Sequence, residues 1–132
     1  MRDEAGKNMS ERIRTDLKIR TKDFALCVVR LYSALPKSVE AQVLGKQCLR
    51  SGTSVGAHYH EARRAKSDAD FINKMEGALQ ELDETAYWLE LLEDSKIVSA
   101  PLLQTLKKET DELISIFVTI VRKVKSNGTR KE

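Results

Sequence analysis

Little in this chain can interrupt a helix. It has 132 residues but only two prolines, Pro36 and Pro101, and proline is the residue that removes a helical donor and clashes with the turn before it. Strict apolar–polar alternation, the mark of a half-buried strand, is not evident anywhere. No run approaches the roughly 18 consecutive apolar residues that a membrane-spanning helix needs, so no membrane contact is expected. The opening MRDEAGKNMSERIRT has no apolar core and does not resemble a signal peptide, which points to the cytoplasm. The two cysteines, Cys27 and Cys48, are isolated and form no CxxC zinc or redox motif. Each sits in an apolar helical pattern and is expected to be a buried small hydrophobe in a reducing compartment.

What is present is helical. Hydrophobic residues make up 41% and charged residues 33% of the chain, a balance that suits one soluble helical domain. A first helix is expected over 16–35, with Leu17, Phe24, Val28, Leu31 and Leu35 on one stripe and Pro36 ending it. Ser38 is a candidate N-cap for a second helix, whose apolar face is expected to hold Val39, Val43, Leu44, Cys48, Val55 and Tyr59. Its middle, Ser51-Gly52-Thr53-Ser54-Val55-Gly56-Ala57, has poor helix propensity, each glycine costing about 1 kcal/mol against alanine. Close approach of a neighbouring backbone would offset that cost; a break near Gly52 is the alternative. Ser67 caps a third helix running to about Asp94, along Phe71, Met75, Ala78, Leu82, Thr85, Leu89 and Leu92. Ser99 and Pro101 open a fourth, with a seam of Leu102, Leu106, Thr110, Leu113, Phe117, Ile120 and Val124. Four such helices with short connections predict an all-α, antiparallel up-down-up-down four-helix bundle over 16–126. Flexible segments are expected at 1–15 and 127–132.

Charge is unevenly spread. Basic residues exceed acidic ones by four in 1–37, by three in 38–67 and by four in 95–132, while residues 68–94 carry an acidic excess of eight. Charge matching inside a bundle explains much of this; a basic outer surface that meets nucleic acid is the functional alternative. In the predicted topology three basic clusters gather at one end. One opens the first helix (Arg12, Arg14, Lys18, Arg20, Lys22). The second is at the turn (Arg63, Arg64, Lys66), and the third near the C-terminus (Arg122, Lys123, Lys125, Arg130, Lys131).

Folding the second and third helices about the turn near Lys66 sets Arg50 level with Glu81 and Glu84, and Glu61 and His58 level with Phe71 and Lys74. Charge-paired contacts among Arg50, Glu61, Lys74, Glu81 and Glu84 are therefore expected, fixing the register of the hairpin. Tyr87 and Trp88 are expected to anchor a core or an interface. The chain has two histidines, His58 and His60, and neither follows a glutamate by three residues. The Glu-x-x-His pairs of di-iron bundles are thus absent, and no metal or other cofactor is expected. Some helical-bundle ribonucleases use an Arg and a His a few residues apart. Arg50 and His58 have seven residues between them, a wider spacing, so catalytic residues are not assigned. Apolar residues beyond one seam, Leu26, Val29, Ile114, Ile116 and Val121, predict a homo-oligomer.

Leu49-Arg50-Ser51-Gly52-Thr53-Ser54-Val55-Gly56-Ala57 with Glu61-Ala62 resembles one helix signature of a known family. Ser67, Asp70-Phe71, Lys74, Leu79, Glu81, Glu84-Thr85 and Tyr87-Trp88-Leu89 resemble the next. The family is that of the four-helix-bundle proteins encoded in intervening sequences of 23S ribosomal RNA, and the resemblance covers residues 16–126. His58 stands where an Asn is expected. The resemblance implies an antiparallel bundle, some members being homopentamers, and distant relatives that bind nucleic acid through a basic surface. It supplies no catalytic residues. The expectation is a non-enzymatic bacterial cytoplasmic protein assembling as a ring. It would contact RNA or DNA through Arg63, Arg64, Lys66, Arg122, Lys123 and Lys125. A scaffold module that binds no nucleic acid is the alternative, with a ribonuclease behind it.

Overall fold

A computed structural model of the chain describes residues 9–99 and 101–130. It holds four helices, α1 (Met9–Ala34), α2 (Val39–Arg63), α3 (Asp68–Asp94) and α4 (Pro101–Arg130). They form an up-down-up-down bundle in which sequential helices pack side by side and α4 returns to α1. The α2–α3 contact is the most extensive and the α1–α4 contact the least.

The turn chemistry sets the boundaries. The Ser38 hydroxyl accepts from the Ala41 N–H and the Ser67 hydroxyl from the Asp70 N–H, satisfying donors that a helix start leaves open. Asp68 and Asp70 lie in the first turn of α3, where the helix dipole favours negative charge. Lys96 closes α3 at φ 59°, the left-handed geometry common just after a helix end. Two ends differ from expectation. α1 begins at Met9 rather than near residue 16, and α4 continues through Asn127 and Gly128 to Arg130. Residues 1–8 and 131–132, and the side chains of Arg14 and Arg130, lie outside the described residues.

α2 is continuous through Gly52, so the expected alternative of a break there does not occur. The reason is close packing: a Cβ on Gly52 would stand 2.7 Å from Val28 Cγ2 and 3.0 Å from Val28 Cγ1. The glycine lets α1 and α2 approach to a distance that any side chain would prevent, and the burial gained offsets the poor propensity. The core line of α2 runs through Ala41, Gly45, Cys48, Gly52, Val55, Tyr59 and Ala62. Because small residues define that line, Val39 and Val43 point outward, 77% and 56% exposed, contrary to their expected place on the apolar face. In α4 the buried line is Leu103, Leu106, Thr110, Leu113, Phe117 and Val121. Leu102, Ile120 and Val124, expected on that seam, are half-buried.

That line also removes Val121 from the surface available to a partner, since it is buried in the core. Ile114 and Ile116 are half-buried, whereas Leu26 and Val29 stay open on α1 together with Ile19. Cys48 is buried as expected, while Cys27 is half-buried. Burial pushes the Cys48 thiol up to about 12, and only the thiolate is nucleophilic. A maleimide at neutral pH is therefore expected to leave Cys48 unmodified in the native protein and to label it only on addition of denaturant. Mass spectrometry of the native adduct checks this; label on Cys48 without denaturant would contradict the packing of α2.

Candidate nucleic-acid interface

The face shared by α2 and α3 holds most of the chain's definite polar geometry. Arg50 Nη1 lies 3.1 Å from Glu81 Oε2 and Arg50 Nη2 lies 2.7 Å from Glu84 Oε1. One turn from the hairpin, Lys74 Nζ is 3.2 Å from Glu61 Oε2. The five residues expected from register thus meet as two ion-paired groups. Beside the first group, the Ser51 and Thr85 hydroxyls touch at 2.7 Å in full burial, and Thr85 donates onward to the Glu81 carbonyl at 2.8 Å. With Ser51 as donor to Thr85, both hydroxyls are used, which pins the axial position of α3 on α2.

This arrangement keeps Arg50 and His58 apart. The guanidinium is held by two carboxylates, and the His58 ring lies against Gly77, where an added Cβ would stand 2.9 Å from Nδ1. His58 Nδ1 and Trp88 Nε1 are buried without a hydrogen-bond partner. Trp88 is half-buried against the core, and its neighbour Tyr87 points outward at 54% exposure, the two rings 5.2 Å apart. Among the described residues no cluster of three metal-ligating side chains occurs.

The expected basic residues fall as follows. Arg63 and Arg64 close α2, Lys66 sits in the turn to α3, and Arg122, Lys123 and Lys125 lie on the last turns of α4; all six are exposed. Lys125 Nζ reaches Glu76 Oε1 at 3.4 Å, so the end of α4 runs beside the start of α3. Arg20 belongs elsewhere. It bridges α1 to α4 through Glu109 at 2.6 Å and Glu112 at 2.9 Å, and its hydrogen bond to Glu109 raises the guanidinium further above its ordinary value. The basic end is not purely basic, because Asp68 and Asp70 stand beside Arg63, Arg64 and Lys66 in the chain.

Sequence reasoning placed Lys18 and Lys22 with the N-terminal cluster and gave His60 no role. In the fold these three line one cavity between α1 and α2. The residues stand some forty positions apart in the chain, so periodicity within one helix carries no signal of it. The small residues of α2 were the clue, since they thin the wall that faces α1. No described helix is long and apolar enough to cross a membrane.

Comparison with known proteins agrees with this architecture. The family model for the 23S rRNA-intervening sequence protein matches residues 15–119. The fold superposes with a TM-score of 0.74 on the crystal structure of a Bacteroides thetaiotaomicron protein of unknown function from the S23 ribosomal protein family. That protein is 39% identical, and the alignment covers 79% of this chain and 96% of the other. No curated protein matches the chain. The chain belongs to the 23S rRNA-intervening sequence protein family.

Proposed function

We propose that this chain is a non-enzymatic bacterial, cytoplasmic protein that works as a homo-oligomer, a ring of the kind a pentamer makes. It would bind structured RNA or an RNA–protein complex through the basic end of its bundle. What supports this reading is that Arg63, Arg64, Lys66, Arg122 and Lys123 are all exposed and lie toward the C-terminal ends of α2 and α4, which the up-down order directs to the same end of the bundle. Repetition of such an end around a ring multiplies the cationic field that a phosphate backbone meets. The family name, which refers to an intervening sequence of 23S rRNA, supports a ribonucleic partner over DNA. Catalysis is disfavoured by geometry, since Arg50 is committed to Glu81 and Glu84 and His58 Nδ1 is enclosed.

Charge reversal at both Arg63 and Arg64 is expected to weaken RNA binding about tenfold or more at low salt, with the difference shrinking as salt rises. Fluorescence anisotropy against a structured RNA measures it, and unchanged affinity would remove this surface. A scaffold reading is favoured by the open apolar side chains Ile19, Leu26 and Val29 on α1. Sedimentation of the wild type without RNA, beside a Leu26→Glu, Val29→Glu variant, tests whether those side chains hold copies together.

A further inference from the structure

The carboxylates of this chain are distributed so that one flank has almost none. Between Phe24 and Ala34 on α1, and between Ala41 and His60 on α2, the sequence contains no Asp or Glu, and Asp16, Asp23 and Glu61 flank those stretches. α3, by contrast, carries nine acidic residues against the single cation Lys74. The same division appears in the concavities along the helix seams. Those between α1 and α4 include Asp16, Asp23, Glu109, Asp111 or Glu112 in their walls. The cavity between α1 and α2, of about 300 Å³, has no carboxylate in its walls.

Its cations stand on the α1 side. Lys18 and Lys22 are one turn apart on α1 and so share a face, and His60 lines the cavity from α2. All three are exposed, and none forms an ion pair with a described carboxylate. Arg64, one turn beyond His60, continues the row toward the basic end. The floor is thin because Ala25, Gly56 and Ala57 supply it. A Cβ on Gly56 would stand 3.4 Å from Thr21 Oγ1, ordinary contact, so the two helices meet at the bottom of the groove without crowding. The hydroxyls of Thr21 and Thr53 donate inward, to the carbonyls of Leu17 and Leu49 at 2.8 and 2.7 Å. Of the remaining side-chain donors in the lining, the Lys18 and Lys22 ammonium groups carry the charge, beside the Tyr59 hydroxyl and the His60 imidazole.

A trough with two lysines on its α1 wall, an imidazole able to hydrogen-bond on its α2 wall and no carboxylate in either fits a chain of phosphodiesters. We infer that the α1–α2 groove seats the backbone of a nucleic-acid strand, with Lys18 and Lys22 against one side, His60 against the other, and Arg64 leading it to the basic end. The inference rests on the nucleic-acid reading above and gives it a path along the flank. The contact is electrostatic and independent of base sequence, since nothing in the groove is arranged to read base edges.

The test uses the full-length protein and a fluorescent oligouridylate of about 20 nucleotides, longer than the site size of typical single-strand-binding folds. Lys18→Glu with Lys22→Glu is compared with Lys37→Glu with Lys108→Glu, which imposes the same net-charge change away from the groove. Both pairs are exposed, so circular dichroism melting should match the wild type. The groove pair is expected to lose about tenfold or more in affinity. The slope of log affinity against log salt should fall by about 1.4, two phosphates' worth on a single strand. Ala57→Glu, an acid set into the floor at an exposed position, should give a similar loss, and the control pair much less. Equal losses in the groove and control pairs would overturn the groove, and so would full competition by uridine monophosphate at the same phosphate concentration. If Arg63→Glu with Arg64→Glu weakens binding while the groove variants do not, the groove is refuted and the basic-end reading stands. A wild type that binds neither this oligomer nor a structured RNA at low salt refutes both.

Discussion

Replacing Gly52 with alanine should destabilise the bundle by about 1–3 kcal/mol, the usual cost of overpacking a close-packed core. It should do so although alanine is the better helix former by about 1 kcal/mol. The added methyl would meet Val28 Cγ2 at 2.7 Å, Cγ1 at 3.0 Å and Cβ at 3.2 Å. A helical valine is stiff about χ1, and Val28 is 1% exposed, so it has no free space to turn into. α1 and α2 must then separate, loosening the apolar contacts on both sides. Gly56→Ala is the internal control. Its nearest neighbour lies at 3.4 Å, ordinary contact, so propensity should prevail and stability rise by up to about 1 kcal/mol. Urea unfolding of the two variants measures the difference directly. A stabilised Gly52→Ala protein would contradict the close approach of α1 to α2.

Removing the Arg50 guanidinium, as in Arg50→Met, is expected to cost about 1–3 kcal/mol. The figure sits below the 3–5 kcal/mol typical of breaking a buried pair because Arg50 is itself half exposed, its side chain at 51% against 10% for Glu81. The larger part of the loss falls on Glu81, a carboxylate taken largely out of water whose ion-pair partner among the described residues is Arg50. Glu84, at 36% exposure, recovers its hydration and contributes less. The double variant Arg50→Met, Glu81→Met should regain much of the stability, since two apolar side chains there leave no stranded charge. Thermal melts of the single and double variants decide it. A single variant as stable as wild type would make the pair a surface ornament.

Register was the most legible part of the chain. Ser67 fixed where α3 starts, and equal distances from that turn brought Arg50 to Glu81 and Glu84, and Glu61 to Lys74. Such pairs follow from helix pitch alone once the turn is known. Rotation about each helix axis was less legible. Val39 and Val43 have the hydrophobicity of core residues, yet Ala41 and Gly45 occupy the core there. Similarly Leu103 and Val121 displaced Leu102, Ile120 and Val124 in α4. A hydrophobic stripe more than one seam wide leaves several rotations nearly equal, and the choice depends on what the neighbouring helices offer.

The candidate interface divides in the same way. The exposed arginines and lysines at the ends of α2 and α4 were legible as clusters, because each lies within one short stretch of chain. The groove containing Lys18, Lys22 and His60 was not, since it exists only when two distant segments lie side by side.

That four helices form, where their turns lie, which helix is acidic and which charged residues share a level can all be read along the chain. All of these follow from interactions local in the chain or from its symmetry about a turn. Packing sets how each helix is rotated, how Gly52 lets α1 approach α2, and where a trough with no carboxylate in its walls opens beside that contact. Those depend on the fit of side-chain volumes between helices, a property that belongs to the packed assembly and to no single segment.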